Sequence, residues 1–180
     1  IDAVSRVRNS LPGANSFCAI SLRRRSQNCA ASAIDSAGIT SMNSSPPQRS
    51  GFARSQQAHE AAVERLFAAL DRVEALLTRQ DFLCGNVLTE ADVRLFVTLI
   101  RFDAVYHTHF KCNRRTVLQS APLTRYMADI HHLPGVAATV DLDHVRHHYY
   151  GSHKHINPSG LIPQGPDVLA ALARPRDGRS

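Results

Sequence analysis

The feature that most constrains the fold is an apolar run, residues 89–106, that opens with a helix-start signal. Thr89 and Asp92 have the spacing of a capping box, in which the Thr89 hydroxyl accepts from the amide of Asp92 and the Asp92 carboxylate accepts from the amide of Thr89. The residues that follow leave little polar surface: Val93, Leu95, Phe96, Val97, Leu99, Ile100 and Phe102. A helix that is apolar nearly all round lies inside a bundle. The run therefore predicts a capped, buried central helix in an all-α fold.

Amphipathic patterns on both sides of this run predict the helices that pack against it. In 55–80, apolar residues recur at steps of three and four, and no Gly or Pro interrupts them. Similar patterns predict helices over 121–132 and 142–150. Segment 155–166 is too rich in Pro and Gly for regular structure, so we expect an extended tail over the bundle surface.

The net charge of +6 is unevenly distributed along the chain. Residues 1–50 contain six arginines and two acids, whereas residues 51–180 contain 15 basic and 13 acidic residues. A nucleic-acid binder needs a clustered basic face, and the part expected to fold lacks one, so we expect no nucleic-acid partner. No apolar run approaches the roughly 20 residues that cross a bilayer, which argues against a membrane protein.

These patterns divide the chain into three parts. Residues 1–50 are rich in Ser and Arg, poor in acids and without periodicity. They fit a transit peptide, but we favour a disordered or atypical segment, such as an insert or translated intron. Residues 51–166 are expected to form one domain, and residues 167–180 a frayed tail.

The cysteine and histidine spacings argue against a disulfide framework and against a metal site. Cys18, Cys29, Cys84 and Cys112 include no CxxC pair, which is typical of free thiols in a reducing compartment. We therefore expect a cytoplasmic protein, with a mitochondrion or plastid as the alternative. His144 and His148 have a spacing that zinc can use, but without a fuller motif we predict no metal.

The residues around the central helix resemble a known family. Residues 82–92, from Phe-Leu-Cys-Gly to Leu-Thr-Glu-Ala-Asp, resemble the helical C-terminal domain of glutathione transferases. Later elements resemble the Xi class, the glutathionyl-hydroquinone reductases: Arg101-Phe-Asp-Ala-Val-Tyr106, His109-Phe-Lys-Cys-Asn113, His148-Tyr-Tyr-Gly-Ser-His153 and Ile156-Asn-Pro158. The resemblance spans about residues 51 to 166, and it implies a glutathione transferase C-terminal-like helical bundle.

The resemblance also implies a function. In this family a thioredoxin-like N-terminal half carries a cysteine followed by proline, whose thiolate attacks the sulfur of a glutathionyl-hydroquinone and releases the hydroquinone. A second glutathione then resolves the mixed disulfide. No such half is visible in this sequence and no cysteine precedes a proline. We therefore expect a substrate-pocket and dimerisation domain of a homodimeric enzyme, with the nucleophilic cysteine and most of the glutathione-binding site elsewhere and with no activity alone.

One residue is singled out by the resemblance as a substrate contact. Tyr149 falls on the family tyrosine that lines the hydroquinone pocket and contacts the substrate oxygen. A second pocket tyrosine of the family falls on Gln48 here, which is a departure from the pattern. Thr89 and Asp92 are expected to be structural, as the N-cap.

A rival hypothesis treats the domain as a non-catalytic, transferase-like helical module for protein–protein assembly. The cap at Thr89 and Asp92 does not separate the two hypotheses, because it stabilises the fold in either case. The element 148–153 does separate them, because a scaffold has no evident need for its aromatic and histidine residues.

Overall fold

A computed structural model of the chain describes residues 51–173. Five α-helices lie in this range: α1 (Gln56–Leu77), α2 (Glu90–Arg101), α3 (Ala121–His131), α4 (Leu142–Ser152) and α5 (Val168–Leu172). Helix α2 continues through a π-helical turn, Phe102–Tyr106, into a last α-helical turn, His107–His109. Two 3₁₀ turns follow, at Val117–Gln119 and Ala137–Thr139. The described range contains no β-strand, which confirms the all-α fold class.

Helix α1 forms where the three- and four-residue apolar steps predict it. Its start is capped by Ser55, whose hydroxyl accepts from the amide of Ala58 at 3.2 Å. The apolar stripe lies in the core with its members almost fully buried: Leu66, Phe67, Leu70, Val73 and Leu77. Burying each such side chain is worth roughly 1.5–3 kcal/mol, so this stripe is what fixes α1 to the bundle.

The capping box at the start of α2 is present, and Asp92 is its stronger half. The carboxylate of Asp92 is fully buried and accepts from the amide of Thr89 at 2.7 Å and from the amide of Leu83 at 2.8 Å. The hydroxyls of Thr89 and Tyr126 donate to the same carboxylate at 2.7 and 3.1 Å. Burial raises the pKa of Asp92, and these hydrogen bonds offset part of the rise.

A second buried carboxylate holds the far end of the same helix. Asp103 is 4% exposed and accepts from the amides of Val117 at 2.7 Å and Leu118 at 2.9 Å. Its burial raises its pKa, and the two amide bonds oppose that effect. This charge in an apolar helix is thus explained, because it caps the 3₁₀ turn after α2 and fixes the connection to α3.

The end of the described chain differs from the sequence prediction. Residues 153–167 have no regular structure, as expected of the tail. The frayed end predicted from residue 167 is wrong over 167–173, because the Asp167 carboxylate caps α5 by accepting from the amide of Ala170 at 2.9 Å. Val168 and Leu172, one turn apart, are buried, and α5 packs against α3.

Several predictions fall outside the described residues. These are the nature of residues 1–50, including Gln48, and the last residues, 174–180. The domain boundary drawn at 50 therefore stays a prediction, and α5 packs against α3 beyond the boundary drawn at 166. Within 51–173, no helix is both long enough and apolar enough to span a bilayer.

Candidate functional site

Side chains that could carry chemistry converge where the π-turn of α2 meets the end of α4. We call this group the aromatic cluster, and its members are Phe52, Tyr106, His109, Phe110, Tyr149, Tyr150, His153 and His155. Phe110 lies at its centre and stacks on Tyr106 with ring centroids 5.6 Å apart and on His153 at 5.9 Å. The α2 end and the α4 end are thereby joined through ring contacts as well as backbone packing.

Two phenol hydroxyls meet inside the cluster. The Oη atoms of Tyr106 and Tyr149 are 3.5 Å apart, and their rings are nearly perpendicular. Tyr106 is buried, whereas Tyr149 is only half-buried. Burial, and then the neighbouring Tyr149, raise the pKa of Tyr106 far above its usual value, so this phenol stays protonated at neutral pH.

Two imidazoles form a second polar contact beside the hydroxyls. Nε2 of His109 lies 3.0 Å from Nδ1 of His153, and the two rings are stacked. Burial lowers the pKa of His109 to about 4, with His153, Lys111 and His155 contributing further. Burial also lowers the pKa of His153. A hydrogen bond between imidazoles needs one ring nitrogen without a proton, and the lowered pKa values provide it at neutral pH.

The outer side of the cluster is an exposed aromatic surface. Phe52 is 43% exposed and stacks on His155 with centroids 5.1 Å apart. The same ring meets His153 edge-on at 5.3 Å. Flat aromatic faces beside a few polar atoms are the usual composition of a site for a ring-shaped ligand.

The structure separates the residues that the sequence singled out. Tyr149 lies in the aromatic cluster, while Thr89 and Asp92 lie at the opposite end of α2 with their polar side-chain atoms bonded to protein groups. The sequence analysis missed Tyr106 and His109 as partners of Tyr149. A signal was available, since both lie in the same family-like elements that were used for the resemblance.

The histidines with zinc-like spacing do not form a site together. The ring of His148 packs edge-on against Tyr149 at 5.4 Å, and His144 is exposed. In residues 51–173 no three His, Cys, Asp or Glu side chains are grouped so that they could hold a metal ion.

The two described cysteines offer no exposed thiol. Cys84 is partly buried in the loop before α2, and the hydroxyl of Thr89 lies 3.9 Å from its Sγ. Cys112 is a free thiol, but it is fully buried, with Sγ 3.8 Å from the carbonyl oxygen of Phe110. Nucleophilic cysteines need a thiolate that substrate can reach, and a buried thiol does not meet that need.

This helical bundle is similar to a known domain family and to known proteins. Residues 56–129 match the family described as glutathione S-transferase, C-terminal domain. The chain is 49% identical over 118 residues to glutathionyl-hydroquinone reductase YqjG of Escherichia coli, covering 66% of this chain and 36% of that protein. It is 50% identical over 118 residues to glutathionyl-hydroquinone reductase PcpF of Sphingobium chlorophenolicum, covering 66% and 38%. The chain thus spans little more than a third of these relatives.

Solved structures of glutathione transferases are also similar to this bundle. The glutathione-bound structure of YqjG, a glutathione transferase homologue from Escherichia coli, superposes with a TM-score of 0.71 at 45% identity, covering 74% of this chain and 44% of that one. The glutathione transferase Xi from Phanerochaete chrysosporium superposes with a TM-score of 0.71 at 42% identity, covering 82% and 48%.

Proposed function

Since the chain carries the C-terminal helical domain of a Xi-class glutathione transferase, we propose that it forms one wall of a hydroquinone pocket. The pocket belongs to an enzyme that reduces glutathionyl-hydroquinones to hydroquinones with glutathione. Two curated relatives are named for that activity. Glutathione is the co-substrate, and we propose that it binds mainly to a thioredoxin-like half that supplies the nucleophilic cysteine.

The observation that carries this proposal is the position of Tyr149 in the aromatic cluster. Its hydroxyl lies 3.5 Å from that of Tyr106, and its ring meets those of Phe110 and His153 nearly at right angles, with centroids 5.9 and 5.6 Å apart. Ring faces bind the aromatic ring of a hydroquinone, and a phenol hydroxyl donates to its oxygen. An assembly scaffold has no use for a half-buried hydroxyl supported by a buried one.

The reaction defines what this wall has to do. When a thiolate attacks the glutathione sulfur, a new S–S bond forms and the bond from sulfur to the ring carbon breaks. When the ring reacts as its keto tautomer, that electron pair passes to the carbonyl oxygen, which becomes a phenolate, and a proton on this oxygen completes the hydroquinone. A hydrogen-bond donor held at the oxygen stabilises this charge as it develops, and Tyr149 is the residue that we propose for this role.

Calorimetric titration of the chain with a glutathionyl-hydroquinone tests the proposal. We expect measurable binding, weakened about fivefold by Tyr149→Phe, because a net neutral hydrogen bond is worth roughly 1 kcal/mol. His144→Gln changes an exposed residue of the same helix and serves as the control. Absent binding, or equal affinity of the wild type and Tyr149→Phe, would contradict the proposed role.

A turnover assay addresses the chain by itself. We expect no glutathione-dependent reduction of glutathionyl-hydroquinone by the purified 180-residue chain, since no cysteine in it precedes a proline. Of the two described cysteines, Cys84 is partly buried and Cys112 is fully buried. Reduction that survives Cys112→Ala and Cys84→Ala would show that another group of this chain supplies the nucleophile.

The homodimer and the assembly module are tested together by sedimentation. We propose a homodimer, and the apolar side chains of Leu161 and Ile162, 74% and 37% exposed on the tail, offer surface for it. A monomer that binds no hydroquinone and captures a different protein would favour the non-catalytic module instead.

A further inference from the structure

We propose that His153 is a second ligand-binding residue of this site, which hydrogen-bonds the hydroxyl that lies para to the one Tyr149 contacts. His109 is the positioning residue that holds the His153 ring in place. The inference rests on the proposed function and deepens it, because it names the group that the same site recognises besides the first oxygen, a second hydroxyl at the opposite end of the ligand ring.

Tyr149 and His153 lie one turn apart at the end of α4. The backbone amide of His153 closes the helix by donating to the carbonyl of Tyr149 at 3.4 Å. Side chains four residues apart on a helix are neighbours, with Cβ atoms about 5–6 Å apart. The two rings are accordingly close, with centroids 5.6 Å apart and planes nearly perpendicular. Both side chains are half-buried, so a ligand on this face of α4 can reach both.

One nitrogen of the His153 ring is already bound by the protein. Nδ1 of His153 lies 3.0 Å from Nε2 of His109, which is 3% exposed and belongs to the last turn that continues α2. The two ring planes are only 22° apart, so the contact also limits rotation of the His153 ring. Nε2, the remaining ring nitrogen of His153, has no hydrogen-bond partner among residues 51–173 and is left for a ligand.

Neighbouring rings hold His153 on its other sides. Phe110 stacks on it with centroids 5.9 Å apart, and Phe52 meets it edge-on at 5.3 Å. His155, two residues further along the tail, lies at 6.0 Å. Because these contacts and the bond to His109 restrict the ring, Nε2 of His153 is held in place before a ligand binds. A site that is ordered in advance loses less conformational entropy on binding.

A neutral imidazole suits a hydroxyl ligand whichever ring nitrogen carries the proton. If His109 donates to Nδ1 of His153, then Nε2 of His153 carries the proton and donates to the ligand oxygen. If His153 donates through Nδ1 instead, then its Nε2 accepts from the ligand hydroxyl. Burial lowers the pKa of both histidines, which keeps the pair neutral at neutral pH. A hydroxyl, which both donates and accepts, therefore fits either form of the pair.

The spacing of the two side chains favours hydroxyls at opposite ends of a ring. In a hydroquinone the oxygens are separated by the whole ring, whereas in a catechol they are on adjacent carbons. Polar atoms carried by Tyr149 and His153, whose positions are one helical turn or about 5–6 Å apart, match the wider separation. We therefore expect the site to use both oxygens of a para pair and only one oxygen of an ortho pair.

Probes that lack one hydroxyl test the second contact without changing the protein. S-(2,5-dihydroxyphenyl)glutathione carries the para pair, and the 2-hydroxyphenyl and 3-hydroxyphenyl thioethers each keep one of its two hydroxyls. NMR titration of the full chain measures their affinities, including weak ones. We expect each single-hydroxyl probe to bind the wild type about fivefold more weakly than the dihydroxy probe, which is the effect of losing one neutral hydrogen bond.

The variants assign each hydroxyl to a residue. In His153→Phe, which keeps a ring but no nitrogen, removal of one of the two hydroxyls should change affinity by less than about twofold. In Tyr149→Phe the other hydroxyl should become dispensable in the same way. His109→Leu should act on the same hydroxyl as His153→Phe, and His109→Gln should restore part of the effect, because its side-chain amide can bond to Nδ1 of His153. His147→Gln is the matched control, since it changes a histidine of α4 whose side chain is 65% exposed.

Each result has a definite consequence. If His153→Phe discriminates among the three probes as the wild type does, the inference is overturned, and the proposed function stays intact provided that Tyr149→Phe still weakens binding. The inference also fails if His153→Phe and Tyr149→Phe make the same hydroxyl dispensable. Should His153→Phe not fold, the wild type decides, because equal shifts of the His153 ring signals with all three probes would exclude a contact to one hydroxyl. Failure of the wild type to bind any of the three probes would remove the proposed function and this inference together.

Discussion

The two ends of helix α2 each bury a tyrosine hydroxyl, and they use it differently. At the start, Tyr126 is fully buried and donates to the carboxylate and the carbonyl of Asp92, both at 3.1 Å. At the far end, Tyr106 is buried nearly as deeply, but its hydroxyl meets the half-buried Tyr149. The start ends its hydrogen bonds inside the protein, which is typical of a fold-stabilising network, whereas the far end makes its contact with the hydroxyl of a half-buried side chain.

Both ends are nevertheless held by the same kind of interaction, a buried carboxylate that accepts hydrogen bonds from backbone amides. Asp92 accepts an amide from Leu83, and Asp103 accepts amides from Val117 and Leu118. Each carboxylate ties α2 to a neighbouring loop, one before the helix and one after it, and burial raises the pKa of each. The structural difference between the ends therefore comes from the tyrosines and the π-turn, not from the buried acids.

The largest effect is expected when the network at the start of α2 loses its carboxylate. Asp92→Ala leaves the amides of Leu83 and Thr89 without their acceptor in a buried site, which should cost about 3 kcal/mol or more of unfolding free energy. Urea unfolding followed by circular dichroism measures it. Glu90→Gln, an exposed acid in the same helical turn, should change stability by less than about 0.5 kcal/mol. A loss below about 1 kcal/mol in Asp92→Ala would mean that the network is not what holds this end.

The same substitution made at both ends tests the comparison directly. Tyr126→Phe should cost about 1–2 kcal/mol, because it removes a donor from a buried carboxylate. Tyr106→Phe should cost less than about 0.5 kcal/mol, since the half-buried Tyr149 can turn its hydroxyl toward water. Equal losses in the two variants would show that the far end of α2 is as structural as the start, and would weaken the proposed role of Tyr149.

Lowering the pH should destabilise the far end of α2 through the pair formed by His109 and His153. The pKa of His109 is lowered from 6.5 to about 4, so the unfolded chain binds more protons than the folded one between these values. The stabilisation is therefore complete above pH 6.5 and is lost as the pH falls toward 4, by about 1 kcal/mol after allowance for solvent screening. His109→Gln should flatten that part of the stability profile, and His144→Gln should not. Parallel profiles for the wild type and His109→Gln would contradict this.

Sequence reasoning succeeded where the cause of a structure lies within a few residues. The cap of α2 follows from the three-residue spacing of Thr89 and Asp92, and α1 follows from its uninterrupted apolar stripe. In both cases the physical requirement is either a backbone amide that needs an acceptor or an apolar face that must be buried. The residues that meet this requirement are close together in the sequence.

Sequence reasoning failed where the cause lies far along the chain. Tyr106 and Tyr149 are 43 residues apart, and their meeting depends on how α2 and α4 pack. The π-turn adds one residue to a helix whose apolar pattern is equally compatible with an α-helix. Helix α5 was missed because the Ala- and Arg-rich end suggested fraying, although Asp167 caps it and Val168 and Leu172 are placed to be buried.

The smallest effect is expected from a surface charge at the start of α2. Arg94 pairs with Glu90 at 2.9 Å, and both side chains are more than 40% exposed. Such an i,i+4 pair is worth about 0.3–0.5 kcal/mol and weakens with salt. Arg94→Gln should therefore lower the unfolding free energy by no more than this, and the difference should shrink in concentrated salt. A salt-independent loss above about 1 kcal/mol would mean that exposed residues contribute substantially to the stability of this end. A small loss, beside a large one for Asp92→Ala, would show that the buried carboxylate holds the start of the helix and that its exposed charges are nearly interchangeable.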